Sequence, residues 1–256
     1  LEDAFYPALV TSLAWWNDDA MNAFASHPRL TVSRAELDAA VTSFQAEWGM
    51  VDEVLYRLCR DFPSHDSQSA VMAKVALIER AYAAGLERQV KFDRKKGEQP
   101  IVVAGEYVWA RGHEIDELLA PVRHISEPLS TQSMAGIVEQ HGRFVQLLRG
   151  TTRGESLSPR SFASKYLHFH CRVVPIYDEY ARQAITRLVR WERSYAPFPL
   201  PPHGDPEYWD YCVRFCRLYD ACRQAGTKAT VKELDAFLWA VPVSGGRNVA
   251  AAAPTN

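Results

Sequence analysis

Apolar residues recur at helical spacing through most of the chain. The clearest apolar stripe runs from Val71 to Leu86 at steps of three and four, which predicts an amphipathic helix over 67–90. The β-branched run Ile101–Val103 is too short and isolated to carry a sheet. The pattern therefore predicts an all-α fold with at least eight helices. The predicted helices cover residues 34–48, 51–62, 67–90, 112–120, 130–148, 160–171, 178–195, 206–225 and 231–241.

Capping and breaking residues indicate where helices begin and where the chain divides. Ser33 and Thr230 each stand three residues before a glutamate, which is the capping-box spacing. Residues 3–27 are rich in helix formers, and the charged stretch 92–99 is followed by the helix breaker Pro100. The last residues lack the apolar periodicity needed for packing. The predicted segments are an N-terminal helical subdomain over 1–99, a second helical subdomain over 100–242 and a flexible tail over 243–256.

The composition is that of an ordinary globular protein. Hydrophobic residues make up 47% of the chain, charged residues 23%, and the net charge is −2. Because the overall charge gives no basic signal, binding to nucleic acid would have to come from a local patch. No apolar run approaches the roughly 18 residues that a membrane span needs. We therefore expect a cytoplasmic protein without a membrane partner, and a monomer, since nothing indicates an obligate protein partner.

The cysteines are odd in number, with three on one predicted helix, which is not typical of a disulfide framework. A reducing compartment fits this usage better. Cys212, Cys216 and Cys222 could form a zinc site with Cys171 as the fourth ligand. Zinc ligands, however, usually come as two closely spaced pairs. Thiols that pack on a helix are the favoured interpretation, and we expect no metal. The cysteines are Cys59, Cys171, Cys212, Cys216 and Cys222.

A basic island lies within residues 149–193. It holds nine basic and four acidic residues, a net charge of +5, so the remainder of the chain carries −7. Such a run of charges usually forms only a solvent-exposed face. It is also a local basic patch of the kind that nucleic-acid binding would need, although the net charge of the whole chain is negative. The basic residues are Arg149, Arg153, Arg160, Lys165, Arg172, Arg182, Arg187, Arg190 and Arg193.

Within this island the sequence predicts two helices joined by an extended link. Ser158 suits the N-cap and Pro159 the first turn of the first helix, whose free N–H groups would accept a phosphate. Lys165 falls about two turns into this otherwise apolar helix, where burial of an ammonium is costly unless it is paired. After the apolar link Val173–Tyr177, Asp178 stands where the next helix begins, a position at which a carboxylate is often only a cap.

These residues resemble the helix-hairpin-helix (HhH-GPD) DNA glycosylase superfamily, in particular small bacterial proteins with an 8-oxoguanine DNA glycosylase fold. In that superfamily a lysine lies on the helix after the hairpin, and an aspartate follows a short Val-Pro-type link. Lys165, Val174–Ile176 and Asp178 match these positions, and the resemblance is sharpest over 150–190. It implies a multi-helix glycosylase-like fold with two helical subdomains and a cleft between them. It also implies base excision from double-stranded DNA without a cofactor.

The resemblance assigns roles to the two charged residues. Asp178 would stabilise the positive charge that develops on the sugar, or orient a nucleophile against C1′. Lys165 would attack C1′ and form a Schiff base, which would add lyase activity, if its amine is neutral. A charged Lys165 would instead hold a phosphate or pair with Asp178 and leave water as the nucleophile.

Further residues are implied for the base and for the DNA backbone. A glycosylase flips its base into a pocket, which aromatic side chains usually line. Core packing is the competing interpretation for each aromatic residue, as is a satisfied core position for a histidine. Lys74, Glu79 and Arg80 could form a pocket wall, but their spacing favours a solvated helix edge. The expected base-pocket residues are Tyr166, His168, Phe169 and Tyr177, and the expected DNA-binding residues are Arg153, Ser158, Arg160, Ser161, Ser164 and Arg182.

Two features depart from the superfamily pattern. Ser161–Ala163 stands where glycines are expected in the hairpin, and Lys165 and Asp178 are only 13 residues apart, fewer than is typical. The alternative function is therefore a non-catalytic DNA-binding module that keeps the fold. A nuclease is less favoured, because no compact carboxylate cluster for a divalent metal is present. Two classes of excised base are left as alternatives: an 8-oxoguanine-like lesion, or a hypermodified phage base in antiviral defence.

Overall fold

The computed structural model describes residues 31–154, 158–190 and 195–241. The predictions for residues 3–27 and for the tail 243–256 lie outside the described residues. Nine α-helices and one 3-10 turn, Arg94–Lys96, form the regular structure of these ranges, which confirms the all-α prediction. The helices are α1 (Arg34–Asp61), α2 (Gln68–Tyr82), α3 (Pro100–Ala110), α4 (Gly112–Arg123), α5 (Thr131–Arg149), α6 (Arg160–His170), α7 (Glu179–Leu188), α8 (Pro206–Gln224) and α9 (Val231–Ala240).

The predicted helices differ from the structure in four places. Helix α3 was not predicted, because proline usually breaks a helix, whereas Pro100 stands in the first turn of this helix, where proline is tolerated. Helix α7 ends at Leu188 and not at 195, because Val189 adopts an extended conformation. Helix α1 is continuous where two helices were expected, because Gly49 in its interior costs only about 1 kcal/mol and does not break it. Helix α2 ends at Tyr82, several residues before the predicted end, because Ala83 adopts the left-handed conformation with φ 45°. The turn that follows is therefore irregular, and it forms part of the candidate site.

The two capping boxes are confirmed. Ser33 and Glu36 exchange side-chain-to-backbone hydrogen bonds at the start of α1. Thr230 and Glu233 do the same at the start of α9. Both boxes satisfy backbone N–H groups that the first helical turn leaves without partners. They fix the start of the two helices that pack against each other across the molecule.

Helix α6 lies at the centre of the packing and contacts α1, α2, α4 and α5. All eight residues from Phe162 to Phe169 are buried, so this helix has no solvated face along that stretch. Helices on either side of the predicted boundary at residues 99 and 100 pack together, α1 against α9 and α2 against α3. Polar side chains on α6 are thus enclosed by neighbouring helices, and Lys165 is one of them.

The cysteines are all free and buried in this core. Within the described ranges, no group of three or more histidine, cysteine, aspartate or glutamate side chains is placed to hold a metal ion. No helix of these ranges is both long and apolar enough to cross a membrane.

Candidate active site

A cavity of about 890 Å³ opens beside the amino-terminal half of α6. This volume is in the range of sites that hold small molecules or cofactors. Residues from both sides of the boundary at residues 99 and 100 line the cavity, and they include the two predicted catalytic residues. Prominent lining residues are Phe44, Trp48, Tyr82, Arg88, Gln89, Ser158, Lys165, Tyr177, Asp178, Asp235 and Trp239.

The Lys165 side chain is buried at the wall of the cavity, with 2% of the residue exposed. Its Nζ donates to Ser161 Oγ at 2.8 Å and to the Tyr82 carbonyl at 3.2 Å. Burial lowers the pKa of Lys165 from its usual 10.5, and the carboxylates of Asp178 and Glu79 act in the opposite direction. The amine is therefore held in one position, and its burial makes the neutral form more accessible than in an exposed lysine.

Asp178 is the N-cap of α7. Its Oδ1 accepts a hydrogen bond from the backbone N–H of Ala181 at 2.8 Å. Its Oδ2 lies 3.8 Å from Lys165 Nζ, and its side chain keeps 22% of its surface exposed. The structure thus brings the two residues together, and the carboxylate that caps the helix also faces the amine.

The link between α6 and α7 is clamped by hydroxyl groups. Ser164 Oγ accepts from the Tyr177 N–H at 2.9 Å and lies 3.2 Å from the Tyr177 carbonyl. Tyr208 and Tyr211 donate to the carbonyls of Pro175 and Ile176, each at 2.8 Å. These bonds hold the short link that delivers Asp178 beside Lys165. The structure therefore corrects the expectation that Ser164 contacts DNA, because the residue is fully buried in this clamp.

Of the four predicted base-pocket residues, Tyr177 lines the cavity. Tyr166 does not, because it is fully buried and its hydroxyl lies 2.8 Å from His65 Nε2. Phe169 is also in the core, with its ring 5.3 Å from that of Tyr82. The enclosure of α6 on all sides explains why these aromatic side chains pack in the interior.

His168 is likewise a satisfied core residue. Its Nδ1 lies 2.7 Å from the Val174 carbonyl, which makes Nδ1 the protonated nitrogen. Its Nε2 therefore accepts from the Tyr56 hydroxyl, at 2.5 Å. Burial lowers the pKa of His168 to about 3, so the ring is neutral at physiological pH. The prediction that His168 lines the base pocket is wrong, since the ring is used to brace the link.

The predicted DNA-binding arginines have different surroundings. The Arg160 guanidinium forms two hydrogen bonds with Asp205, at 2.6 and 2.9 Å, so this charge is already neutralised in the fold. Arg182 pairs with Glu179 at an exposed position. Arg153 is exposed as well, and its guanidinium donates to a backbone carbonyl. Arg153 and Arg182 thus keep access to solvent.

The two remaining predicted DNA contacts lie at the cavity. Ser161 is occupied as the acceptor for Lys165 Nζ. Ser158 lines the cavity but is not the N-cap of α6, because the helix begins at Arg160 with Pro159 as its N-cap and without a side-chain cap. The expected capping role of Ser158 is therefore wrong.

Four aromatic side chains line the cavity in positions that the sequence did not predict. We call Phe44, Trp48, Tyr82 and Trp239 the aromatic wall. The ring centroids of Trp48 and Tyr82 are 5.7 Å apart, and those of Trp48 and Trp239 are 6.4 Å apart. Phe44 and Trp48 belong to the apolar stripe of α1, and such a stripe looks the same whether it faces a core or a cavity. The pattern alone could not separate the two.

Unpartnered polar atoms are concentrated at the cavity. Buried polar atoms normally have hydrogen-bond partners, so each exception calls for a reason. In the described ranges, five buried side-chain atoms have none, and four of them belong to residues that line the cavity. This distribution favours a ligand with polar groups. The four atoms are Trp48 Nε1, Gln89 Oε1, Ser158 Oγ and Asp235 Oδ2.

Glu79 fastens the turn at the rim of the cavity. Its carboxylate accepts from the backbone N–H groups of Gly85, Leu86 and Glu87, at 3.1, 2.9 and 3.2 Å. Burial raises the pKa of Glu79, against the lowering effect of these bonds. The expectation of a solvated edge at this position is wrong, because Glu79 and Lys74 are both buried.

The arrangement offers a fixed amine, a neighbouring carboxylate and an aromatic wall in one cavity. An amine with a lowered pKa is a potential nucleophile, and a carboxylate can stabilise positive charge. Comparisons with protein-family models, with curated proteins and with solved structures find no match for the chain.

Proposed function

We propose that the protein is a DNA glycosylase that takes a damaged or modified base from double-stranded DNA and cleaves its N-glycosidic bond. The observation that carries the proposal is the position of Lys165 Nζ, 3.8 Å from the Asp178 carboxylate at the wall of a cavity of about 890 Å³. Burial of a lysine amine beside a carboxylate at a cavity is costly for folding and typical of a functional site.

Asp178 acts on the charge that develops when the base departs. As the bond from C1′ to the base nitrogen breaks, the electron pair leaves with the base and the sugar becomes positive. A fixed carboxylate stabilises this charge without reorganisation at the moment of reaction. The cap bond to Ala181 keeps the carboxylate oriented, and its exposed fraction allows the sugar to approach.

The reaction can follow two routes, which differ in the role of Lys165. In the covalent route, neutral Nζ bonds to C1′ as the base leaves with the electron pair, and the bonded nitrogen passes a proton to Asp178. The C1′–O4′ bond then breaks, Asp178 returns the proton to O4′, and a protonated Schiff base remains. In the hydrolytic route, Asp178 orients a water molecule and accepts its proton, while Lys165 stays a charged partner. The lowered pKa of Lys165 favours the covalent route.

The aromatic wall supplies a surface for the extruded base. Flipping costs a few kcal/mol, which stacking on aromatic side chains can offset. Trp48 and Trp239 provide indole rings, and Tyr82 provides both a ring and the carbonyl that holds Lys165. The base would then lie close to the reactive amine.

The test is release of free base from duplexes that each carry one modified base, together with glucosylated phage DNA. Mass spectrometry of the supernatant identifies any released base. We expect release from at least one substrate, and little release from the same substrate with Asp178→Asn. Binding of these duplexes without release from any of them would overturn the proposal.

A second candidate, a non-catalytic DNA-binding module, rests on the hydrogen bonds of Lys165. Its Nζ donates to Ser161 Oγ and to the Tyr82 carbonyl, as a purely structural buried lysine would. This candidate predicts salt-dependent binding to DNA without base release, and no effect of Lys165 substitutions on the chemistry of the DNA.

A further inference from the structure

Asp235 is a buried carboxyl group at the cavity that the proposed chemistry does not use. It lies on α9, one turn before Trp239 of the aromatic wall, and 7% of the residue is exposed. Its Oδ1 accepts from the Ile176 N–H at 3.2 Å. Its Oδ2 is buried and has no hydrogen-bond partner. A buried oxygen without a hydrogen-bond partner lowers the stability of the fold. Its presence at a cavity wall indicates that a ligand supplies the missing hydrogen bond.

The neighbouring groups do not neutralise this carboxyl. His168 Nδ1 lies 3.8 Å from Oδ2, but that nitrogen bonds to the Val174 carbonyl at 2.7 Å, and the ring is neutral. Lys232 forms its own ion pair with Asp52 at 2.5 Å. Oδ2 is therefore left without a cation in contact among the described residues.

Burial raises the pKa of Asp235 well above its ordinary value, while the Lys232 charge and the Ile176 N–H oppose the shift. A carboxyl group without a counter-charge in such a position takes up a proton. With Oδ1 occupied as an acceptor by Ile176, the proton resides on Oδ2. Asp235 then offers one O–H donor at the cavity, beside Trp239.

We propose that Asp235 is the specificity-determining residue of the cavity and donates a hydrogen bond from Oδ2 to an acceptor atom on the ring of a nucleobase that stacks on the aromatic wall. The inference rests on the proposed function for its choice of ligand. The acceptor is a ring carbonyl or an unprotonated ring nitrogen, because only these accept from a neutral carboxyl in the plane of a base. A donor buried beside an aromatic surface selects strongly against rings that lack the matching acceptor.

The experiment measures binding of nucleosides to the full chain, which needs no reaction. The probes are adenosine, guanosine, cytidine, thymidine and 8-oxoguanosine, titrated by calorimetry and by saturation-transfer NMR. We expect at least one of them to bind the wild type. Asp235→Leu should weaken that binding at least tenfold, because the donor is lost.

Asp235→Asn is the conservative variant. Its amide keeps an acceptor for the Ile176 N–H and offers an N–H donor in place of the Oδ2 hydroxyl. It should therefore bind within about threefold of the wild type. If Asp235 were only structural, its substitutions would change thermal unfolding, but the asparagine and leucine variants would not differ in nucleoside affinity in this way. Asp235→Ala is measured in parallel, so a folding failure of the leucine variant leaves the test intact.

Asp210→Asn is the matched control, since Asp210 pairs with Arg214 on α8 and is not a cavity residue. The inference is overturned if no nucleoside binds the wild type, or if Asp235→Leu and Asp235→Ala bind as the wild type does. Nucleoside binding with the expected split but no base release from DNA would reject the glycosylase proposal alone. Base release that is unchanged by Asp235→Leu would reject the inference alone.

Discussion

Asp178 gives its two carboxylate oxygens different partners: Oδ1 caps α7 through the Ala181 N–H at 2.8 Å, and Oδ2 lies 3.8 Å from Lys165 Nζ. The capping bond belongs to the fold and the second contact to the candidate site. This division separates the structural contribution of Asp178 from its chemical contribution, because asparagine and alanine affect them differently.

Asp178→Asn should abolish base release while the protein stays folded. Asparagine is as good an N-cap as aspartate, so the helix keeps its first turn, but the charge that stabilises the sugar cation is lost. We expect a loss of about a hundredfold or more in the rate of base release, as for removal of other electrostatic stabilisers. Asp178→Ala should in addition lower the free energy of unfolding by about 1 kcal/mol.

These two variants are compared by single-turnover release and by urea unfolding. Ser130→Ala removes the cap of α5, far from the catalytic pair in sequence, and serves as the control for capping alone. Wild-type rates of base release in Asp178→Asn would refute the catalytic role.

Lys165 should be trapped on substrate DNA by borohydride if the covalent route operates. The neutral amine is the nucleophile, and its fraction rises with pH until the pKa is passed. Because burial lowers the pKa of Lys165 below 10.5, trapping should rise with pH and level off below that value. Lys165→Arg should give no adduct, since a guanidinium is not deprotonated in proteins. Base release with no adduct at any pH would leave water as the nucleophile.

Glu79→Ala should loosen the turn that carries the Tyr82 carbonyl. The substitution leaves three backbone N–H groups of residues 85–87 without their acceptor, and each unsatisfied buried group costs about 1–3 kcal/mol unless water reaches it. We expect a lower urea midpoint and slower base release, because Lys165 loses a fixed partner. Glu87→Gln, which alters a neighbouring carboxylate of the same turn, is the control. Unchanged stability in Glu79→Ala would contradict the assigned role.

Acid should destabilise the fold through its buried histidines. Burial lowers the pKa of His168 to about 3 and that of His141 to about 4, from 6.5. The unfolded chain therefore takes up protons first, so this stability is fully present above pH 6.5 and is lost as the pH falls. At about 1.4 kcal/mol per pH unit for each histidine, unfolding at pH 5 should be easier by about 2 kcal/mol per residue than at pH 7.

Urea unfolding between pH 8 and pH 5 measures this effect. The slope of unfolding free energy against pH should be smaller in His168→Asn than in the wild type, whatever the absolute stability of the variant. Equal slopes would show that His168 does not resist protonation in the fold.

Arg153 and Arg182 should contact DNA phosphates rather than bases. Both are accessible, unlike Arg160, which Asp205 neutralises. Each alanine substitution should reduce the slope of log affinity against log salt by about 1, with a similar loss for every DNA sequence. Arg57→Ala on α1, an exposed arginine that pairs with Glu53, is the control. If the slope of an alanine variant equals that of the wild type, the substituted arginine does not contact DNA phosphates.

Local chemistry explains what could be predicted from the sequence. The helical periodicity, the boxes at Ser33 and Thr230 and the position of Asp178 at a helix start depend on residues a few positions apart. The proximity of Lys165 and Asp178 followed from the resemblance, and the clamp on their link explains how a spacing of 13 residues suffices. Each of these features is determined by residues that are close together in the sequence.

The remainder of the site depends on contacts between distant segments. Trp48 and Asp235 come from helices far apart in sequence, and nothing near either residue shows that it faces a cavity. Tyr166 and His168 were assigned to the pocket because they neighbour Lys165, but the enclosure of α6 turns them into core residues. The burial of a helix on all sides is a property of the packing, which no local pattern contains.

The amine of Lys165 is anchored by the carbonyl of Tyr82, whereas the ring of Tyr82 belongs to the aromatic wall. A main-chain carbonyl is the same for every residue type. A substitution at position 82 therefore reshapes the surface that meets the ligand and removes the hydrogen bond from the Tyr82 hydroxyl to Asp52, while the carbonyl that holds the amine is retained. An evolving lineage could change what the cavity accepts by drift at this single position while the reactive group keeps its anchor.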